Sequence, residues 1–377
     1  MVAGDLRATW IFGLVRYTAP LLGGGARWDR FIAYSEREAK MAKETKSPKS
    51  GRLYLEEDAD LDLISDRQIA VLGYGSQGHA QAQNMRDSGL KVIIGNVEDN
   101  FAEQARGDGF EVVAIADAVK RSDITLMLIP DEVQADVYRA EIGPNLKESQ
   151  VLVFASGYAV HFGLIRPPEF VDVVLAVPAC VGGIVRERFA NGQGVFGHFA
   201  VHQDHSGKAR QIALAVARGI GLLRFGADET TFEGEVVVNL FAETAGLCGI
   251  IPYLLMAYEV LVEAGISPES AYSETFYELQ FVAESLNRMT IGEAVAYGSP
   301  TATYLGLTRT PEVVTEDIRD RMRRMLRCVQ SGELVRDWNL EQLAGRPLFN
   351  QLKREMAQHP ISEVQKVFIE RRKASGG

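Results

Sequence analysis

Residues 68–78 read Gln-Ile-Ala-Val-Leu-Gly-Tyr-Gly-Ser-Gln-Gly. The run 68–73 is apolar, carries β-branched residues and stops at a glycine, which predicts a strand buried on both faces, as in a parallel sheet. From Ser76 to Ser88 the sequence turns helical in character and stops at Gly89. A GxGxxG set between such a strand and such a helix is the phosphate-binding turn of a dinucleotide fold. Gly73 permits the tight turn, Gly75 lets backbone approach a pyrophosphate, and Gly78 lets helix pack close to strand. Tyr74, Ser76 and Gln77 complete the loop. The helix N-terminus then offers unpaired N–H groups and a partial positive charge to the diphosphate.

Outward from this unit, strands are predicted at 91–95 (KVIIG), 111–114, 124–130 (ITLMLIP), 151–156 (VLVFAS), 171–178 (VDVVLAVP) and 198–203, several of them separated by helical stretches. Strands alternating with helices give a right-handed, doubly wound parallel sheet. After Gly226 the pattern is helical only. One helix is expected over 235–264 and another over 268–289, the second opened by Ser267 as N-cap and Pro268 in its first turn. Amphipathic pieces follow at 311–331 and 344–357. The expected fold is therefore α/β: a Rossmann domain over 52–228, then an all-helical domain over 229–377. Residues 1–51 differ in composition, with an apolar run at 10–15 broken by Arg16 and a Lys/Ser-rich stretch past Met41. They are expected to be a disordered leader, or to precede a true start at Met41.

The formal charge of −10 over 377 residues speaks against a nucleic-acid surface. Three cysteines, Cys180, Cys248 and Cys328, lie far apart with no CxxC spacing. That is neither a disulfide framework nor a zinc site, and it fits a reducing cytoplasm. The most apolar stretch, 236–262, contains Asn239, Glu243, Pro252 and Glu259. A membrane span would bury its charges at about 2.5–3.5 kcal/mol each, so no membrane contact is expected. The stretch is read as a core helix with a functional face. His161, His198 and His202 sit beside strands and are read as structural.

The second strand ends at Gly95, and Asn96-Val97-Glu98-Asp99-Asn100 occupies the place of the adenosine ribose. An acidic side chain there accepts a bond from the ribose 2′-hydroxyl and repels a 2′-phosphate. Between Gly95 and Arg106 there is no Arg or Lys. Glu98 and Asp99 therefore favour NADH, with NADPH as the open alternative.

Several longer segments resemble the ketol-acid reductoisomerases: GYGSQGHAQAQN (73–84), LIPDEVQADVY (128–138), IRPPEFVDV (165–173), AVHQDHSGKA (200–209), ETTF (229–232), LVEAG (261–265) and AGRPLFN (344–350). The resemblance covers about 52–377 in order and spacing. It implies a knotted helical domain and a homodimer with shared active sites. It also implies chemistry in which NADPH and two Mg²⁺ ions serve an alkyl shift on a 2-acetolactate followed by hydride reduction. Tyr74 to Gln77, Pro130 and Asp131 to Gln134, and Gly182 match the family's dinucleotide-binding positions.

The chemical positions depart from the family pattern. Ser156 stands where the family has its active-site histidine, and Ala179, beside Cys180, stands where it has a lysine. Asn239 replaces the aspartate that bridges the metals, while Glu243, Glu274 and Glu278 match the remaining metal carboxylates. Gly292 falls where a substrate-contacting serine is expected. Two Mg²⁺ ions about 4 Å apart need an anionic bridge, and a neutral amide brings no charge. Ionising the substrate hydroxyl needs a base, and the histidine and lysine are both gone. The residues are accordingly read as binding no metal, against the Mg²⁺ that the resemblance brings with it.

Asn239/Glu243 and Glu274/Glu278 are i,i+4 pairs, each on one helix face. Apolar neighbours are expected to close both pairs into one pocket, where a glutamic acid with a raised pKa, Glu243 or Glu278, donates a proton to a reduced bond. The expectation is thus an NAD(P)H-dependent reductase of a C=N or C=O bond in a small carboxylate-bearing molecule, with isomerisation lost and a place in a specialised pathway. In plan this is similar to imine reductases and hydroxyacid dehydrogenases. Two alternatives stay open: a working ketol-acid reductoisomerase, and a cofactor-binding pseudoenzyme.

Overall fold

The computed structural model describes residues 51–375. The expectation for a leader falls, apart from Gly51, outside the described residues. Among those described, nine strands form one sheet: β1 (Leu53–Tyr54), β2 (Gln68–Leu72), β3 (Lys91–Gly95), β4 (Val112–Val113), β5 (Ile124–Met127), β6 (Val151–Phe154), β7 (Asp172–Pro178), β8 (Gly197–Gln203) and β9 (Ala227–Glu229). Their order is β1-β9-β8-β7-β6-β5-β2-β3-β4. From β4 to β7 neighbouring strands are parallel, and β2 lies between β3 and β5. The glycine turn therefore leaves the carboxyl end of the strand at which the order reverses, the place where open α/β sheets bind ligands.

The sheet is not parallel throughout, as the alternation predicted. β8 runs antiparallel to β7, and β1 antiparallel to β9. After β7 the chain makes a nine-residue helix, Gly182–Ala190, and re-enters beside the carboxyl end of the same strand, with Gly197 paired to Pro178. No crossover is completed, so the next strand must run back.

Helices cover both faces. On one face Ser76–Asp87 and Ala209–Ile220 pack Ala80, Met85, Ile212 and Val216 on Ile69, Val71 and Val174. The other buries Ile115, Ala118 and Tyr138 on Ala70, Leu72 and Leu152. Asn84, fully buried, joins three helices: its amide donates to the Ile220 carbonyl at 3.0 Å and its oxygen accepts from Arg186 at 2.8 Å. A buried amide left half-bonded would be costly, so these bonds fix where the phosphate-turn helix sits.

Beyond β9 the chain is helical. Thr231 caps the helix Phe232–Thr244 by accepting from the Gly234 N–H at 2.9 Å. The predicted single helix breaks at Gly246, whose ψ of −118° is not helical, and resumes as Ile250–Glu263 with Pro252 in its first turn. Ser267 caps the next helix, as predicted, at 3.2 Å from the Ser270 nitrogen. That helix carries a π turn at Ser273–Tyr277 before Leu279–Arg288. The helices Glu333–Leu343 and Ile361–Ala374 escaped the sequence reading, and so did Ile291–Tyr297 and Pro300–Arg309. For the last two, signals were present in the Thr290/Glu293 capping box and in Ser299-Pro300.

The reading of 236–262 as a core helix needs correction. By length and composition the stretch Phe232–Glu263 could cross a membrane, but little of it is buried by the rest of the chain. Phe232, Glu235 and Val236 face the sheet, whereas Leu247, Ile251, Met256 and Val260 are exposed. The cover for those side chains does not come from the described residues of this chain.

Candidate active site

The phosphate turn has the geometry its glycines predict. Gly73 takes φ +89°, a conformation that disfavours any side chain, with Ile129 and the Leu128 carbonyl 3.0 Å from where a Cβ would sit. A Cβ on Gly78 would lie 2.0 Å from the Gly73 carbonyl oxygen, so helix and turn touch backbone to backbone. At Gly75, the N-cap, nothing lies within 4 Å of a Cβ. That opening is where a diphosphate would approach the free N–H groups.

The strand-end loop from β7 is docked against this turn. Gln77 donates to the Cys180 carbonyl at 2.8 Å, and the Gly182 N–H reaches the Ser76 hydroxyl oxygen at 3.2 Å. A Cβ on Gly182 would meet the Ser76 carbonyl oxygen at 1.9 Å, so only glycine closes the joint. Tyr74 enters the site through its backbone alone. Its ring is buried against Phe110 and His79 and its hydroxyl donates to Asp108 at 2.8 Å, so the side chain is structural.

The acidic loop divides its two carboxylates. Asp99 is the N-cap of the helix Asn100–Gly107, accepting from Phe101 and Ala102 nitrogens at 3.0 and 2.9 Å and from Asn96 at 2.8 Å. All three bonds fall on one oxygen, Oδ1, which gives Asp99 a capping part that the sequence reading did not assign. Glu98 is held in a two-pronged pair by Arg106, with N–O distances of 2.6 and 2.9 Å, and this partner holds its carboxyl below the usual range. Arg106 was visible in the sequence only as the end of a stretch without basic residues.

At the carboxyl edge of the central strands, Pro130 opens the helix Asp131–Val137 and Ser156 follows β6. The Gln134 amide donates to the Ile129 carbonyl and to Asp131, both at 3.0 Å, while its oxygen is buried without a partner among the described residues. The Tyr158 hydroxyl is likewise buried and unpartnered, and burial pushes it up to about 12. Beside them stands a carboxyl that the sequence reading overlooked. Glu235, 4 % exposed, accepts from the Gly157 N–H at 2.7 Å. Burial pushes it up to about 7 against that hydrogen bond, and Asp131 and Glu243 add to the shift. Asp131 is raised to about 6, first by burial and then by Glu132 and Glu243. The signal for Glu235 was its place one helical turn before Asn239 in an apolar run.

The enclosure expected around Glu243 and Glu278 is not formed by the described residues of this chain. Asn239, Glu243, Glu274 and Glu278 are all exposed, and Asn239 donates to Glu243 at 3.3 Å. Glu274 lies in the π turn. Among the described residues no three His, Cys, Asp or Glu side chains gather as a metal ion requires. Ala179 is exposed at the mouth of the loop and Cys180 is partly buried, its thiol raised by that burial. Gly292 lies exposed in the helix Ile291–Tyr297, with open space where a Cβ would stand. His198 pairs with Asp228 at 2.5 Å, in line with a structural part.

The open turn at Gly75, the Gly182 joint and the unpartnered Gln134 oxygen together fit a dinucleotide whose nicotinamide reaches the carboxyl edge of the sheet. Fold and site define an NAD(P)H-dependent oxidoreductase. Residues 63–226 match the family described as acetohydroxy acid isomeroreductase, NADPH-binding domain, and residues 232–373 match ketol-acid reductoisomerase, C-terminal domain. The chain belongs to the ketol-acid reductoisomerase family. It is 47 % identical over 301 residues to the ketol-acid reductoisomerase (NADP(+)) of Petrotoga mobilis, covering 79 % of this chain and 91 % of the relative. A solved NADH-preferring ketol-acid reductoisomerase from an uncultured archaeon superposes with a TM-score of 0.83 at 35 % identity, over 85 % of this chain and 98 % of the other. A crystal structure from Jannaschia sp. CCS1 shares the fold at 16 % identity and a TM-score of 0.54, over 70 % of this chain and 97 % of that one.

Proposed function

We propose that this chain reduces, with NAD(P)H, a C=O or C=N bond in a small carboxylate-bearing molecule. The observation that carries this is the contrast within one strand-end loop. Its Gly182 end keeps the contact with the phosphate turn, while Ala179, and Ser156 after the neighbouring strand, replace the family's lysine and histidine. Hydride transfer needs the cofactor, an oriented carbonyl and a proton donor. Glu235 and Asp131, carboxyls that hold protons near neutrality, stand at the same sheet edge and fit the last part better than the exposed Glu243 and Glu278. The alkyl shift also needs a base and a metal bridge, and the residues at those positions supply neither.

A second reading, a complete ketol-acid reductoisomerase, has the comparisons behind it more directly. Identity of 47 % over 91 % of such an enzyme is high, and both family domains are matched along their length. One experiment separates the two. The protein is given 2-acetolactate with Mg²⁺, and separately the rearranged 3-hydroxy-2-oxo acid that needs reduction only, with cofactor oxidation followed at 340 nm, the absorption of the reduced nicotinamide. Turnover of the second alone, resistant to EDTA, supports the reductase, and Asn239→Asp by itself should not restore the first. Mg²⁺-dependent turnover of acetolactate establishes the second reading.

NADH is the proposed preferred cofactor, supported by Glu98 at the ribose position. The working form is proposed to be a cytoplasmic homodimer. Its support is the exposed apolar face from Leu247 to Val260, and the exposure of Glu243, Glu274 and Glu278, which a second copy could bring together.

A further inference from the structure

Arg106 is the first basic residue after β3, and the fork of its guanidinium closes on both oxygens of Glu98. Glu98 lies about 20 residues past the glycine motif, the distance at which the ribose-binding acid of this fold falls. Asp99 serves its helix and Asn96 through one oxygen, and beside it Glu98 presents the carboxylate whose partner is Arg106. The cation that would meet a 2′-phosphate is then already beside it. A phosphate, though tetrahedral, offers two oxygens to the same fork with more charge than a carboxylate, and guanidinium binds both groups in that two-pronged way.

We propose that Arg106 sets the cofactor preference of this protein, clamping Glu98 for the 2′-hydroxyl of NADH and exchanging Glu98 for the 2′-phosphate of NADPH. The proposal rests on the dinucleotide reading of the glycine turn and goes beyond the preference inferred from acidic residues alone. An acidic loop without a cation rejects NADPH. An acidic loop whose acid is already paired accepts both cofactors, with a preference set by the competition between two anions for one guanidinium. A purely structural pair at the start of the helix Asn100–Gly107 would affect folding but not the ratio of the two affinities.

The test is direct binding, read by cofactor fluorescence on the full chain, with thermal melting as a check on folding. The unmodified protein should bind both cofactors. Arg106→Gln should weaken NADPH about tenfold, the scale of one charge-assisted contact, and move NADH much less. Glu98→Gln should tighten NADPH, and the gain should vanish in the double variant Glu98→Gln/Arg106→Gln. Arg106→Lys should recover part of the NADPH binding, since it keeps charge but not the fork. An NADPH-to-NADH affinity ratio that is the same with and without Arg106, in both backgrounds, overturns the proposal. Failure of the unmodified protein to bind either cofactor overturns the dinucleotide reading itself, and the proposal with it.

Discussion

The Glu235 carboxylate accepts the backbone N–H of Gly157 at 2.7 Å, and this bond ties the first helix after the sheet to the strand-end loop that carries Ser156. Gly157 makes the approach possible. A Cβ there would stand 2.4 Å from the Phe232 carbonyl oxygen. The carboxyl is thereby held in a poorly solvated place with one hydrogen bond, and its pKa rises to about 7 because burial outweighs that bond.

A pH dependence follows. The folded-state pKa of Glu235 lies above its unfolded value of 4.5, so its stabilising protonation is fully present below pH 4.5 and is lost as pH rises through 7. Glu235→Gln keeps an acceptor for Gly157 without the charge. It should match the unmodified protein in stability near pH 4.5 and exceed it at pH 8, by up to about 3 kcal/mol. Equal melting differences at the two pH values would show that the carboxyl is not held as described.

Asp99 should behave as a cap. Asp99→Ala should cost about 1 kcal/mol of stability, and Asp99→Asn, which can still accept from Phe101 and Ala102, should cost less. Neither should change the ratio of NADH to NADPH affinity. A shift of that ratio with unchanged melting would mean that Asp99 faces the ribose after all.

Gly75 and Gly182 should separate binding from folding. Gly75 has an ordinary φ of −71° and open space at its Cβ, so Gly75→Ala should melt like the unmodified protein yet bind NADH at least about tenfold more weakly, the methyl group standing where diphosphate approaches. Gly182→Ala must push backbone from backbone at Ser76, and it should lose both stability and binding. Normal NADH binding by Gly75→Ala would place the cofactor elsewhere.

The exposed helix face predicts self-association. Sedimentation of the unmodified protein at micromolar concentration should give the mass of two chains, and Met256→Glu or Ile251→Asp should give one, since each puts a charge on that apolar face. A single-chain mass for the unmodified protein would refute the dimer.

What could be read from the sequence was set by local rules. The turn at 73–78, the strand at 91–95 and the Ser267 cap depend on glycine conformation, β-branched runs and side-chain capping, and all three are present where expected. The reversal of β8 was not legible, because strand direction depends on whether Gly182–Ala190 crosses the sheet or turns back, which apolar patterning does not encode. Glu235 and Arg106 were missed for a related reason. Each matters through a partner, Gly157 or Glu98, brought to it by folding. The pocket expected from Glu243 and Glu278 was drawn from helix faces, and a helix face does not say which chain will cover it.

The contact of Gly182 with Ser76 has a consequence for how such an enzyme can change. Because the loop from Pro178 to Gly182 is anchored by its last residue and by the Cys180 carbonyl, its backbone course does not depend on which side chains stand at 179 and 180. A lysine there can give way to alanine without disturbing the cradle that receives the dinucleotide. What receives the dinucleotide and what stands at 179 and 180 are thus set by different parts of one short loop, the first by backbone contacts and the second by side chains alone.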